Sequence, residues 1–142
     1  MKVILVAHGE FATELHRSLQ MIVGEVSHFH PVNFYPDDGP DQLWERIAQV
    51  VKMHSGEEYI IFTDLYGGTP FNVTSRMSAE DSNISVVSGM NLPMLLELAF
   101  SVDGDRQDLV QQAMTNAKEG VRLFEFVLPD EEEADDFEED SF

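Results

Sequence analysis

The sequence predicts an α/β fold, a three-layer sandwich with a mainly parallel sheet. Short β-like runs alternate with segments whose apolar residues recur at helical spacing. The first and third runs are almost wholly apolar or β-branched, as in strands covered on both faces. The chain has 142 residues, one domain with room for a real core.

The elements follow in order. Lys2 to Ala7 reads as a buried strand ending at His8-Gly9. Phe11, Leu15, Leu19, Ile22 and Val23 share a helical face, and Gly24 ends that helix. His28 to Tyr35 alternates as a second strand, and Pro31 puts it at an edge. After the loop Pro36 to Pro40, Asp41 is expected to cap a helix with Leu43, Ile47, Val50 and Val51 on its apolar side. Tyr59 to Thr63 is the third strand, followed by Asp64-Leu65-Tyr66-Gly67-Gly68 and a helix capped by Thr69 that runs to about Met77. Asn83 to Val87 is the fourth strand. The next helix has Leu92, Leu95, Leu96 and Ala99 as its core face, with Met90 and Met94 available for a contact surface. A helix from about Asp105 to Lys118 ends at Gly120, and Val121 to Leu128 is a last β-like segment. Residues 1–128 thus form the domain. Residues 129–142 form an acidic tail expected to be disordered.

Composition excludes several classes of function. Cysteine is absent, so there is no disulfide framework, thiolate zinc site or cysteine nucleophile. The formal charge of −19 argues against nucleic acid or anionic lipid as partner. Nine of the 27 acidic residues lie between Asp130 and Asp140, and the rest of the chain is still acidic. Only five apolar residues separate Lys2 from His8, too few for a signal peptide, and no stretch is long enough to span a bilayer. A cytoplasmic protein is expected. No Walker-type Gly-x-x-x-x-Gly-Lys supports nucleotide binding.

In parallel sheets ligands bind beyond the carboxyl ends of the strands, and His8, Asp64 and Gly89 all fall at such ends. A neutral imidazole nitrogen can attack a phosphoryl group if the other ring nitrogen is held by an acceptor. His8 is the candidate nucleophile and Asp64 the candidate acceptor. Gly67, Gly68, Thr69 and the amide of Phe71 form the expected phosphate-binding loop, with the amide of Asn72 also free to donate. Gly9, Tyr66, Asn72, Met90 and Asn91 make the expected rim. Each feature alone has an inert reading: a lone loop histidine, an Asp capping a turn, a plain Gly-Gly bend. His28 and His30 on one strand face suggest a metal pair, but no third ligand is evident, so no metal and no cofactor are assigned. His16 and His54 read as helix-surface residues.

Three motifs in order decide between these readings. Val6-Ala7-His8-Gly9-Glu10-Phe11-Ala12, Asp64-Leu65-Tyr66-Gly67-Gly68-Thr69-Pro70-Phe71-Asn72 and Val87-Ser88-Gly89-Met90-Asn91-Leu92-Pro93-Met94-Leu95 together resemble the IIA component of the mannose family of the bacterial phosphoenolpyruvate-dependent sugar phosphotransferase system. The resemblance spans Met1 to Leu128. It implies a homodimer in which a strand is exchanged between subunits, with Val121 to Val127 the candidate by position. It also implies that His8 takes a phosphoryl group on Nε2 from the phosphocarrier HPr and gives it to the IIB component, while the membrane subunits IIC and IID take part only indirectly. Asp64 is by motif match the acid that holds Nδ1. Thr69 stands where the family often has Ser, and Tyr66 where some members have Trp. The alternatives are a regulatory IIA-like phosphoacceptor, the IIA-like subunit that feeds dihydroxyacetone kinase, and a non-enzymatic anion-binding module.

Overall fold

The computed structural model describes residues 1–129; the acidic-tail expectation lies almost wholly outside the described residues. The order is β1 (Lys2–His8), α1 (Phe11–Val23), β2 (Phe29–Phe34), α2 (Pro40–Met53), β3 (Tyr59–Thr63), α3 (Thr69–Glu80), β4 (Ile84–Val87), α4 (Leu92–Phe100) and α5 (Arg106–Glu119). All four strands are parallel, in the order β2-β1-β3-β4. The Pro31 strand lies at an edge, where its missing N–H removes no ladder bond.

Strand alternation divides the core into two layers. Val3, Leu5 and Ala7 face one side and pack with Ala12, Leu15 and Leu19 of α1, Met94, Leu95 and Leu98 of α4, and Ala113 of α5. Ile4 and Val6 face the other side and pack with Leu43 and Ile47 of α2 and with Val73 and Met77 of α3. β1 is buried on both faces because helices cover both.

Several local expectations are corrected. Gly39, not Asp41, caps α2: the Gly39 amide donates to the Gln42 side chain and Pro40 opens the helix. Gly68, not Thr69, caps α3, so Thr69 and Pro70 lie inside the first turn. Phe11 is partly exposed at the start of α1, and Ala12 takes its place in the core. Met90 and Met94 are buried, because α4 turns its Met94-Leu95-Leu98 side onto the sheet. Among the described residues Val121 to Leu128 forms no strand. Its large apolar side chains, from Val121 to Leu128, stand 74–85% exposed. Among the described residues no helix is long and apolar enough to cross a membrane.

Candidate active site

The sheet order places a switch point between β1 and β3: the chain leaves β1 toward β2 on one side, and β3 and β4 lie on the other. Helix connections diverge there and open a crevice beyond the strand ends. β1 ends at His8 and β3 at Thr63, so His8 and Asp64 meet across it although 56 residues separate them.

Asp64 holds His8 by one oxygen. Oδ2 accepts from the His8 backbone N–H at 3.1 Å and lies 2.7 Å from the imidazole Nδ1. An ionised carboxylate only accepts, so in the neutral imidazole Nδ1 carries the proton and Nε2 keeps the lone pair. Oδ1 of Asp64 accepts from the Leu65 amide at 2.9 Å, which fixes the carboxylate plane. The His8 side chain is 48% exposed and that of Asp64 16%. The pair is open to an incoming macromolecule on the histidine side only.

The loop behind the ring is tight. Gly67 has φ +82°, the left-handed region that favours glycine. The Gly68 amide donates to Leu65 O at 3.1 Å, and the Asn72 amide to Gly68 O at 2.9 Å. Those two amides are therefore spent on the turn and on the first helical bond. This corrects the expectation that the Asn72 amide is free. The amides of Thr69 and Phe71 have no partner among the described residues. With no acidic residue in the first turn of α3, the positive helix end is not neutralised.

The expected rim is only partly assembled. Tyr66 is 77% exposed and packs against Phe71 with 4.5 Å between ring centroids and the rings tilted by 42°. Gly9 lies beside His8, its amide donating to Phe34 O at 2.7 Å. The Asn72 side chain donates to Gly67 O at 3.2 Å and braces the loop. Met90 is buried in the core and reaches the site edge only by its amide, which donates to Thr63 O at 3.0 Å. Asn91 is the cap of α4, accepting from the Met94 amide and donating to Ala117 O, each at 3.2 Å.

Phe34 is the neighbour that sequence reasoning left out. It pairs with His8 in the β1–β2 register, and its ring meets the imidazole near-perpendicularly at 5.7 Å, with 74° between the planes. Alternation places Phe34 on a strand face; only the register places it beside His8. Next to it, Arg46 bridges the β2–α2 loop. Its guanidinium donates to both oxygens of Asp38 and to Asn33 O, and lies over the Tyr35 ring at 5.5 Å. Hydrogen bonds from Arg46, then from the Tyr35 amide, hold the Asp38 carboxyl at about 2.

The other histidines are elsewhere. His28 lies in the turn before β2, its Nε2 2.6 Å from Leu98 O, whereas His30 faces His54 at 4.7 Å between centroids. The turn rotates His28 away from the face that strand alternation would give it, so the two do not form a pair. His16 is not a free surface residue: it stacks on Phe29, with its Nε2 buried and unpartnered among the described residues. Burial lowers the pKa of His16. That of His30 is lowered by burial, then by His54, Lys2, His16 and His28. Among the described residues no group of three or more His, Cys, Asp or Glu could hold a metal ion.

Comparison with known proteins identifies the family. The family model described as the PTS system fructose IIA component matches residues 2–123. The sorbose-specific EIIA component of Lacticaseibacillus casei is 37% identical over 103 residues, covering 72% of this chain and 75% of that protein. The mannose-specific EIIAB component of Escherichia coli K12 is 30% identical over 84% of this chain but only 38% of its own length. Among solved structures, the mannose/sorbose-specific IIA subunit from Enterococcus faecalis superposes with a TM-score of 0.85 at 29% identity, covering 91% of this chain and 98% of that one. The chain therefore belongs to the mannose-family IIA components of the sugar phosphotransferase system, phosphotransferases that carry a phosphoryl group on a histidine.

Proposed function

We propose that His8 is the phosphoacceptor, taking a phosphoryl group on Nε2 from the phosphocarrier HPr and passing it to a IIB component. The observation that carries this is the 2.7 Å contact between His8 Nδ1 and Asp64 Oδ2, which in the neutral ring leaves the lone pair on Nε2, on a side chain that is half exposed. The Nε2 lone pair attacks phosphorus, and the bond from phosphorus to the donor's nitrogen breaks, its electron pair staying with the donor. The His8 ring gains positive charge, which the Asp64 carboxylate balances. Onward transfer reverses the sequence: the IIB acceptor attacks, the Nε2–phosphorus bond breaks, and the ring returns to neutral. The amides of Thr69 and Phe71, the Thr69 hydroxyl and the amino end of α3 are assigned to the phosphoryl oxygens. Gly67 serves by shaping the loop. Most of the rate comes from positioning and charge stabilisation.

A homodimer completed by an exchanged strand belongs to the same reading. The outer edge of β4 has no strand partner among the described residues. Beside it lies a cavity of about 530 Å³ lined by Tyr66, Phe71, Val86, Met94, Val110 and Met114, among others. A second copy's Val121 to Val127 supplies both the missing ladder and the apolar side chains for that groove. The acidic surface suits a basic protein donor, and sugar import at the cytoplasmic face, through IIC and IID, is the assigned setting. The regulatory, dihydroxyacetone-kinase and anion-binding alternatives have no observation in their favour.

The test is intact-protein mass after incubation with phosphoenolpyruvate, enzyme I and HPr. Wild type should gain one acid-labile phosphoryl group, and His8→Ala none while remaining folded. An adduct that persists in His8→Ala would refute the assignment.

A further inference from the structure

We propose that Gly68 and Phe34 are positioning residues that together set the rotation of the His8 imidazole and so aim Nε2. The inference rests on His8 being the phosphoacceptor and adds the device that orients it. The bond from Nδ1 to Asp64 fixes one point of the ring. Held there and by its covalent bond at Cγ, the planar ring of this half-exposed side chain can still tilt about that edge and carry Nε2 through an arc. Two contacts outside the hydrogen bond close the arc. Phe34 meets the imidazole near-perpendicularly at 5.7 Å. From the loop, the backbone of Gly68 comes so close that a Cβ built there lies 3.1 Å from His8 Cε1.

The two glycines of the loop thereby separate in role. Gly67 has φ +82° and open space where a side chain would go, so the backbone requires glycine. Gly68 has φ −73° and ψ 170°, a conformation open to any residue. What glycine supplies at position 68 is room for the ring. A Cβ there would also lie 3.3 Å from Leu65 O, a backbone atom tied into the turn, so the imidazole is the more movable neighbour. Cε1 sits between the two ring nitrogens, and a push on it pivots Nε2 away from the line of transfer. Phe34 is held in turn by the Gly9 amide on its carbonyl and by its place in the β1–β2 register.

The experiment is single-turnover transfer from phosphorylated HPr to wild type, Gly68→Ala, Phe34→Leu and Phe34→Tyr. It is read with the HPr dissociation constant and the ¹⁵N resonances of the His8 ring. Gly68→Ala and Phe34→Leu should transfer roughly tenfold or more slowly, the scale on which a misaimed reacting atom acts. Their HPr affinity should be unchanged and their His8 ring nitrogens shifted from wild type. Phe34→Tyr, which keeps the ring, should restore the rate. Wild-type rates in both Gly68→Ala and Phe34→Leu overturn the proposal. So does a slowing fully matched by weaker HPr binding with unshifted ring resonances. A wild type that takes no phosphoryl group on His8 is a different result: it removes the phosphoacceptor reading itself, and this inference with it.

Discussion

Asp64 makes three hydrogen bonds with two oxygens: to the His8 amide, the His8 ring and the Leu65 amide. An asparagine offers only one carbonyl oxygen, so Asp64→Asn must leave one side of that arrangement facing an NH₂ group. It also removes the charge that balances the phosphorylated ring. Transfer should slow on the order of 10²-fold, as when one preorganised electrostatic partner is lost. The volume is unchanged and the site half open, so the melting temperature should barely move. Rapid-quench transfer beside thermal unfolding checks this, and normal transfer in Asp64→Asn would take Asp64 out of its role. Deep in the core the balance is reversed. Leu95 is fully buried between α4 and the sheet. Leu95→Ala should cost about 2–5 kcal/mol of stability through lost transfer energy and a residual cavity. Its His8 should keep accepting phosphate below the lowered melting temperature, as denaturant unfolding and a transfer assay would show.

At the scale of elements, the β2–α2 connection is held by charge. Asp38 sits at about 2, against an ordinary 3.8, because Arg46 donates to it. A depressed carboxyl stabilises the fold at pH above its unfolded value and loses that contribution as pH falls through its folded value. Wild type should therefore unfold at a higher temperature than Arg46→Gln above about pH 4, with the gap closing toward about pH 2. Thermal melts of both proteins from pH 6 to 2 test this, and a gap independent of pH would contradict it. Because Arg46 also braces Asn33 and Tyr35, next to Phe34, the element serves the site as well as the fold.

For the whole molecule, the question is what covers Val121 to Leu128. Six large apolar side chains in water are unfavourable, at about 25 cal/mol per Å² of apolar surface. In the proposed homodimer, the edge of β4, unpaired among the described residues, and the groove beside it would receive this segment from a second copy. A chain ending at Gly120 should be monomeric in sedimentation and less stable. A chain ending at Pro129 should remain dimeric and be phosphorylated at the wild-type rate. If the shorter chain stays dimeric, the exchanged strand is wrong. Tyr66 and Phe71 line that groove and belong to the loop beside His8. Loss of the strand should therefore also loosen the active-site loop.

The sequence by itself determined the parallel α/β architecture, because strands covered on both faces must be apolar throughout and helices between them must show one apolar stripe. It also determined the edge strand of Pro31, the His8–Asp64 pair at the strand ends, and the family through three motifs in register. What it left open depends on contacts between elements. Caps at Gly39 and Gly68 were missed because a favourable Asp41 or Thr69 nearby carries the stronger local signal. The burial of Met90 and Met94 follows from which side α4 turns to the sheet, not from its composition. His28 and His30 were expected on one face, and the turn before β2 rotated them apart. Phe34 could not be seen beside His8 until the register of β1 on β2 was known. Nor does local sequence reveal that Gly68 leaves space for an imidazole: its backbone is ordinary, and the reason for glycine lies in a side chain sixty residues away.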